Sequence, residues 1–479
     1  KEYRRQRQMC IRDRLGMART SYDDDRFRTS IREGLLSFVR PDEVDEKAIQ
    51  AFLSCLHYLS ADPSEPEAYA ELRTRLEEID RTIDNPHNYL YYLATPPLLY
   101  GVIPRHLKAE GLNREGDGFR RIVVEKPFGY DLSSALELNR IYLDAFREEQ
   151  IYRIDHFLGK ETVQNILALR FANSVFEPLW NRNYIDYVEI TAVENMGIGT
   201  RGGFYDGVGT LRDMVQNHLA QLLAVTAMEP PAAFDASGFR NEVVKVYQSL
   251  TPLTGEDIRH SVVRGQYMAS EGRKGYREEE QVPALSRTET YLAMRLELNN
   301  WRWGGVPFYI RTGKQMPTKV SEIVIHFKPA PYSLFRCEGG TCPVPNRLVI
   351  RIQPNEGIVL RLGMKKPGEG FEVLPMDMDF SYAELGRLPT EDAYARLIED
   401  CIAGDPTLFI RSDAAESGWR FFDPILKYWQ DVPECPLYGY PAGSWGPLEA
   451  DSLVARQGAS WTNPVSYTHL RAHETLANL

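Results

Sequence analysis

The chain has few cysteines: six in 479 residues, and only Cys337 and Cys342 stand close together, in CEGGTC. No second pair stands at metal-ligand spacing and no histidine follows usefully, which argues against a zinc site. Sparse thiols also argue against a disulfide-stapled secreted fold and favour a reduced, cytoplasmic protein. A long apolar run is missing as well. The longest, Leu219–Met228, is far short of the ~20 residues that span a bilayer, and no signal-peptide pattern is visible. Positive charge is in deficit, with 56 Lys and Arg against 67 Asp and Glu and a formal net charge of -11. Such a chain is a poor generic partner for nucleic acid or an anionic membrane. A phosphate-bearing ligand needs positive charge gathered locally. There is no internal repeat and no low-complexity segment.

What is present is a globular composition, 43% hydrophobic and 26% charged. At this length two or three domains are expected. Residues 1–14, KEYRRQRQMCIRDR, are basic and aperiodic, and residues 465–479 have no evident relation to what precedes them. Both read as foreign tails and are set aside from the fold. From residue 15 to 154 the pattern alternates. Ile31–Val39, Asp45–Leu59, PEAYAELRTRLEEID and LSSALELNRIYLDAF are helical by spacing, with Asp131 as a cap for the last. NYLYYLATPP, FRRIVVEKPFG and IYRID read as strands ended by turns or prolines. Strands alternating with helices imply a parallel, doubly wound sheet. From 155 to 464 the texture changes to strands joined by loops: DYVEITAVE, TYLAMRLEL, FYIRTG, SEIVIHFK, RLVIRIQP and GIVLRLGMKK. Helices recur at 212–228 and 390–403. The fold class expected is α/β followed by α+β, the second domain built on a mostly antiparallel sheet.

Four stretches place charge where strands stop, which is where α/β proteins bind ligands. Lys126 leaves a strand before Pro127 in EKPFG. In YRIDHFLGKE, Asp155 and His156 are neighbours, so an extended strand points them to opposite faces and to different tasks. Lys160 stands at the start of a helix, against the macrodipole, where backbone amides, Lys and His suit a phosphate. His218 shares an apolar helical face with Met214, Val215 and Leu222, the ordinary setting of a core histidine. At 3.6 residues per turn Asp213 lies about 140° away from it. A carboxylate for His218 therefore comes from elsewhere, with Asp155 the obvious candidate. Finally, Arg311, Lys314 and Lys319 form a basic cluster in FYIRTGKQMPTK.

Taken together RIDHFLGKE, EKPFG, RDMVQNHL, RGGFYDGVGTLRD, RTGKQMPTK, VIRIQPNEG and GSWGPLEAD resemble the glucose-6-phosphate dehydrogenase family over roughly Gly16 to Pro464. The resemblance implies oxidation of D-glucose 6-phosphate to 6-phosphoglucono-1,5-lactone with NADP, the first step of the pentose phosphate pathway. It implies His218 as general base paired with Asp155, and His156, Lys160 and Lys319 as phosphate ligands. Lys126, Glu194, Asp213, Lys314 and Gln353 then match residues that hold the sugar or its reacting end. Arg19 matches the reader of the adenosine 2′-phosphate, favouring NADP over NAD, and Thr95, Pro96, Tyr100 and Lys126 match the coenzyme wall. No metal is implied. A homodimer or homotetramer is usual in the family.

Two departures stand out. Phe157 replaces a frequent tyrosine, removing one hydroxyl from the phosphate site. The family's opening strand and its G-x-x-G-D-L turn do not precede Gly16, so the first βαβ unit of the Rossmann-like domain is expected to be missing. Exposed sheet edges and an inactive chain would follow. Two alternatives are a sugar-phosphate-binding remnant without catalysis, and a glucose–fructose oxidoreductase-like enzyme. The second leaves Lys160, Lys319 and RDMVQNHL unexplained together.

Overall fold

Parallel strands and helices alternate in the first part of the chain, as the sequence pattern requires. The structure, a computed structural model, describes residues 13–40, 44–83, 87–332, 345–368, 371–382, 392–455 and 458–464. The expected tails, apart from residues 13 and 14, and the Cys337/Cys342 pair lie outside the described residues. The chain forms two compact units. The first comprises Lys1–Gly129, Ser133–Ile154 and Leu397–Ser412; the second comprises Tyr130–Leu132, Asp155–Arg396 and Asp413–Leu479.

In the first unit β1 (Arg14–Ala18) pairs in parallel with β2 (Leu56–Ser60). A separate parallel sheet holds β3 (Tyr89–Leu93), β4 (Arg120–Val124) and β5 (Ile151–Arg153) in that order. A doubly wound sheet has the order 3-2-1-4-5-6. β2–β1 and β3–β4–β5 correspond to its two flanks, and no strand stands at the central position among the described residues. The helix expected over Asp45–Leu59 is shorter, Glu46–Ser54, because Leu56 to Ser60 is β2. There Leu56 and Tyr58 are buried while His57 and Leu59 are half-buried, a period of two that fits a strand. Leu397–Ser412 belongs to this unit through Arg121, whose guanidinium donates to the carbonyls of Cys401 and Ile402 at 2.7 and 2.6 Å. Gly129 has φ +87°, and a Cβ there would lie 2.8 Å from Ala135. The turn after EKPF therefore requires glycine.

The second unit is built on nine strands. They are β6 (Ile185–Val193), β7 (Val262–Met268), β8 (Tyr291–Glu297), β9 (Pro307–Gly313), β10 (Val320–Phe327), β11 (Arg347–Gln353), β12 (Gly357–Lys365), β13 (Val373–Ser381) and β14 (Tyr438–Pro441). Their order is β13-β12-β11-β10-β6-β9-β8-β7-β14. Only β6–β9 and β7–β14 pair in parallel. The strands β7, β13 and β14 and the helix Ser412–Asp431 were not legible in the sequence. That helix contains Pro424, which ordinarily breaks a helical reading.

One face of the sheet carries Val188, Ile190, Ala192, Ile323 and Ile325, all buried. The opposite face buries charge. Glu189 accepts from His326 Nε2 at 2.7 Å and from the Thr462 amide at 2.8 Å. Arg311 donates to Asn463 Oδ1 at 2.8 Å and the Thr462 carbonyl at 3.0 Å, and lies over the Trp461 ring at 4.6 Å. Between them Glu322 is 1% exposed, and neither of its oxygens has a hydrogen-bond partner. Burial first, and then Glu189, push its carboxyl from 4.5 to about 7, against the pull of Arg311, Arg347 and Arg351. The folded state therefore holds this proton more tightly than the unfolded state does. The stabilisation is complete below pH 4.5 and is lost as pH rises through about 7, a change on the order of 3 kcal/mol. Glu322→Gln, neutral at every pH, should match the parent near pH 4.5 and unfold several degrees higher at pH 8. Identical melting curves across that range would refute the assignment.

Candidate active site

β5 stops at Arg153, and residues 156–159 form a turn. Asp155 and His156 are therefore not on an extended strand, and the expectation that they face opposite ways is overturned. The turn brings both to His218. Asp155 Oδ1 takes a hydrogen bond from His218 Nδ1 at 2.7 Å and another from the Phe157 amide at 2.9 Å. Asp155 and His218 are 2% and 1% exposed, and the His156 ring lies 4.5 Å from that of His218. Burial raises the Asp155 carboxyl, but the His218 charge and hydrogen bond, the Phe157 amide and His156 together hold it down at about 2. An ionised carboxylate only accepts, so Nδ1 of His218 donates, and whenever the ring is neutral its lone pair is on Nε2. Donor atoms of Asp155, His156 and His218 lie within 4.8 Å of one another. That spacing admits a cation, but the lysines beside it oppose one.

His218 stands on Leu211–Leu219, which is π-helical rather than α-helical. Its i→i+5 bonding brings residues five apart nearly one turn around, so the 140° separation assumed from the sequence does not apply. Asn217 supports the wide turn by donating to the Arg212 carbonyl at 2.8 Å. Asp213 nonetheless reaches Lys314, Oδ2 to Nζ at 3.3 Å, and Asp155 takes His218.

Lys160 is the N-cap residue of the helix Glu161–Phe171. Its Nζ donates to Gln353 Oε1, at the end of β11, at 2.5 Å. Burial first, then the charge of Lys319, lowers its ammonium to about 8, against Asp155 and Glu356. A half-buried lysine whose charge is disfavoured by burial and by a second cation nearby is set for an anion. Lys314 follows β9 and meets Glu194 Oε2 at 2.6 Å as well as Asp213. Carboxylates held this way are fixed acceptors for hydroxyl donors. Thus Asp155, His156, Lys160, Lys319, Gln353 and His218 gather in the second unit, as do Glu194, Asp213 and Lys314. Arg311 does not join the basic cluster: its side chain is buried on the sheet face that holds Thr462 and Asn463.

The remaining candidates lie in the first unit. Arg19 follows β1 and is exposed, Thr95 and Pro96 follow β3, and Lys126 follows β4, half-buried. Tyr100 is buried at 2%. Thr95 Oγ1 is buried and has no hydrogen-bond partner, an orphan that suits a polar ligand group at this strand end. Sequence reasoning missed Tyr394, stacked on His156 at 5.9 Å, and Tyr205, whose ring lies 5.2 Å below Lys314 Nζ. Nothing in the local sequence marks Tyr394, and Tyr205 lies within RGGFYDGVGTLRD without any charge pattern that singles it out.

A family model described as "Glucose-6-phosphate dehydrogenase, NAD binding domain" matches residues 3–165, and "Glucose-6-phosphate dehydrogenase, C-terminal domain" matches residues 167–462. The chain is 51% identical over 454 residues to glucose-6-phosphate 1-dehydrogenase of Aggregatibacter actinomycetemcomitans, covering 94% of this chain and 90% of that one. It is 47% identical over 457 residues to the enzyme of Treponema pallidum (strain Nichols), covering 94% and 88%. A solved glucose-6-phosphate dehydrogenase in complex with its substrate glucose-6-phosphate superposes with TM-score 0.86 at 33% identity, over 94% of this chain and 91% of the other. The Mycobacterium avium glucose-6-phosphate 1-dehydrogenase gives 0.80 at 34%, over 96% and 94%.

Proposed function

The chain belongs to the glucose-6-phosphate dehydrogenase family, and from that premise we propose that it oxidises D-glucose 6-phosphate to 6-phosphoglucono-1,5-lactone with NADP. The buried Asp155–His218 pair beside Lys160 and Lys319 carries the reading. His156, Lys160 and Lys319 hold the phosphate, and Glu194, Asp213, Lys314 and Gln353 position the sugar. His218 Nε2 takes the proton of the carbon 1 hydroxyl, and Asp155 stabilises the imidazolium that forms. NADP, when bound, supplies the two-electron acceptor for the hydrogen on carbon 1. Arg19, Thr95, Pro96, Tyr100 and Lys126 hold it, and the orphaned Thr95 hydroxyl fits such a group. Binding energy from the remote phosphate places carbon 1 for reaction.

The test is absorbance at the NADPH band with glucose 6-phosphate and NADP. Formation of NADPH supports the proposal. Raised melting temperature with glucose 6-phosphate and no NADPH would instead make the chain a sugar-phosphate binder.

The functional unit is proposed to be a homodimer. On one face of β12 and β13, Ile358, Leu360, Leu362 and Met364 stand opposite Phe380, Met378, Met376 and Leu374. Met364, Met376 and Met378 are each more than half exposed. A contiguous apolar face of this kind marks an association surface. Light scattering should return twice the chain mass, and Met378→Lys should halve it. A wild-type chain of single mass at micromolar concentration would sink the dimer.

A further inference from the structure

The π-helix Leu211–Leu219 begins at a break. At Gly209 the chain leaves helical geometry, with φ +73° and ψ 169°, and Thr210 makes no side-chain cap bond. The first amides of a helix have no partner within it. Here they go to a distant segment, at Glu289 just before β8. Glu289 Oε1 accepts from the Leu211 amide at 3.0 Å. Its carbonyl accepts from the Thr210 amide at 3.1 Å and from the Thr210 hydroxyl at 3.0 Å. Glu289 is 5% exposed. Burial raises its carboxyl above the ordinary value, and the Leu211 amide leads the opposing influences, followed by its own amide, Arg212 and Arg264. A Cβ on Gly209 would lie 2.5 Å from Glu289 Oε1, so the chain passes this close only as glycine.

The next residue holds the other half of the site. The Thr290 carbonyl accepts from the Lys314 amide at 2.9 Å, and Tyr440 donates its hydroxyl to the Lys314 carbonyl at 2.7 Å. Tyr205, whose ring lies under Lys314 Nζ, shares a 2.7 Å hydrogen bond with Thr210 Oγ1. Arg212 ties the same turn down through the Val208 and Tyr130 carbonyls, but those bonds do not lead to Lys314. Glu289 and Thr290 do.

We propose that Glu289 is a positioning residue for Asp213: it seats the start of the helix on the segment that holds Lys314, and so sets Asp213 against Lys314 for the sugar. This rests on the reading of Asp213 and Lys314 as groups that position the sugar. His218, near the far end of the helix, has its own anchor in Asp155, so loss of the Glu289 bond falls first on Asp213. Small misplacement of a group that orients the reacting end is costly in rate.

The experiment measures NADPH formation from glucose 6-phosphate by the full chain, by Glu289→Met, Glu289→Gln and Asp213→Asn, and by Glu289→Met combined with Asp213→Asn. Glu289→Met, similar in size but without the acceptor, should lower kcat by about 10- to 100-fold. KM should stay within about threefold, because Lys160 and Lys319 are not on this helix. Glu289→Gln keeps an acceptor for the Leu211 amide and should restore kcat to within about fivefold. In the Asp213→Asn background Glu289→Met should cost less than about threefold, since residues that act together are not additive. A full loss repeated in that background overturns the proposal, as does a kcat for Glu289→Met within twofold of wild type. If Glu289→Met does not fold, Thr210→Val, which removes the side-chain bonds to the Glu289 carbonyl and Tyr205, carries the same cycle. If the wild type itself makes no NADPH, the dehydrogenase reading fails. Hydrogen exchange over the segment from Tyr205 to Leu219 then decides the clamp separately. Faster exchange in Glu289→Met and wild-type exchange in Glu289→Gln support it, and equal exchange in all three overturns it.

Discussion

His218→Asn should lower kcat for glucose 6-phosphate by about 10³- to 10⁴-fold while KM stays within a few-fold. Asparagine occupies similar space and can still donate to Asp155, so the pocket keeps its shape. What it lacks is a lone pair basic enough to take a proton at neutral pH. Asp155 Oδ1 receives both the His218 Nδ1 hydrogen bond and the Phe157 amide, and its carboxyl is held near 2. It stays ionised throughout the working range and fixes the tautomer that leaves Nε2 open. Asp155→Asn should therefore also cost at least 10²-fold in kcat, because an amide can present its NH₂ to Nδ1 and reverse the tautomer. Equilibrium binding of glucose 6-phosphate to His218→Asn, followed by thermal shift, separates chemistry from affinity. Turnover within tenfold of wild type would remove His218 from the role of base.

Lys160→Ala should lower kcat/KM for glucose 6-phosphate by about 10²- to 10³-fold and leave the slow reaction of free glucose nearly unchanged. The lysine is partly buried, bonded to Gln353 Oε1 and close to Lys319. Burial and the second cation bring its ammonium down to about 8 in the free protein. A bound phosphate dianion favours the charged form, so binding above pH 8 requires uptake of a proton. The sign is then fixed: affinity is full below about pH 8 and falls as pH rises through it. KM for glucose 6-phosphate should climb above pH 8 in the wild type, and that limb should vanish in Lys160→Ala. Equal losses on glucose and glucose 6-phosphate would place Lys160 outside the phosphate site.

How much of this was legible depends on range along the chain. YRIDHFLGKE puts Asp155, His156 and Lys160 within six residues, and RTGKQMPTK puts Lys314 and Lys319 at the end of one strand. Such clusters are visible because a strand end and the loop after it deliver neighbouring residues to one place. The errors were local geometry. Two residues were assigned to a strand that had already stopped at Arg153, so Asp155 and His156 were sent to opposite faces and not to a shared turn. The helix bearing His218 was given 3.6 residues per turn, whereas it is π-helical. Asp155 does lie against His218, although the angle used to reach that expectation does not describe this helix.

The sequence by itself determined the class of fold and the residue types of the candidate site, because alternation, turn chemistry and clustered charge are written in short windows. Only the tertiary structure decided what depends on distant segments meeting. His218 finds Asp155 across 63 positions and Lys160 finds Gln353 across 193. Phe157, a missing hydroxyl in the sequence, becomes the flat neighbour of His218. Glu322, an ordinary polar position in an alternating strand, is buried beside Glu189 without a hydrogen-bond partner. Contacts of that kind are set by strand order and register, which local periodicity does not encode.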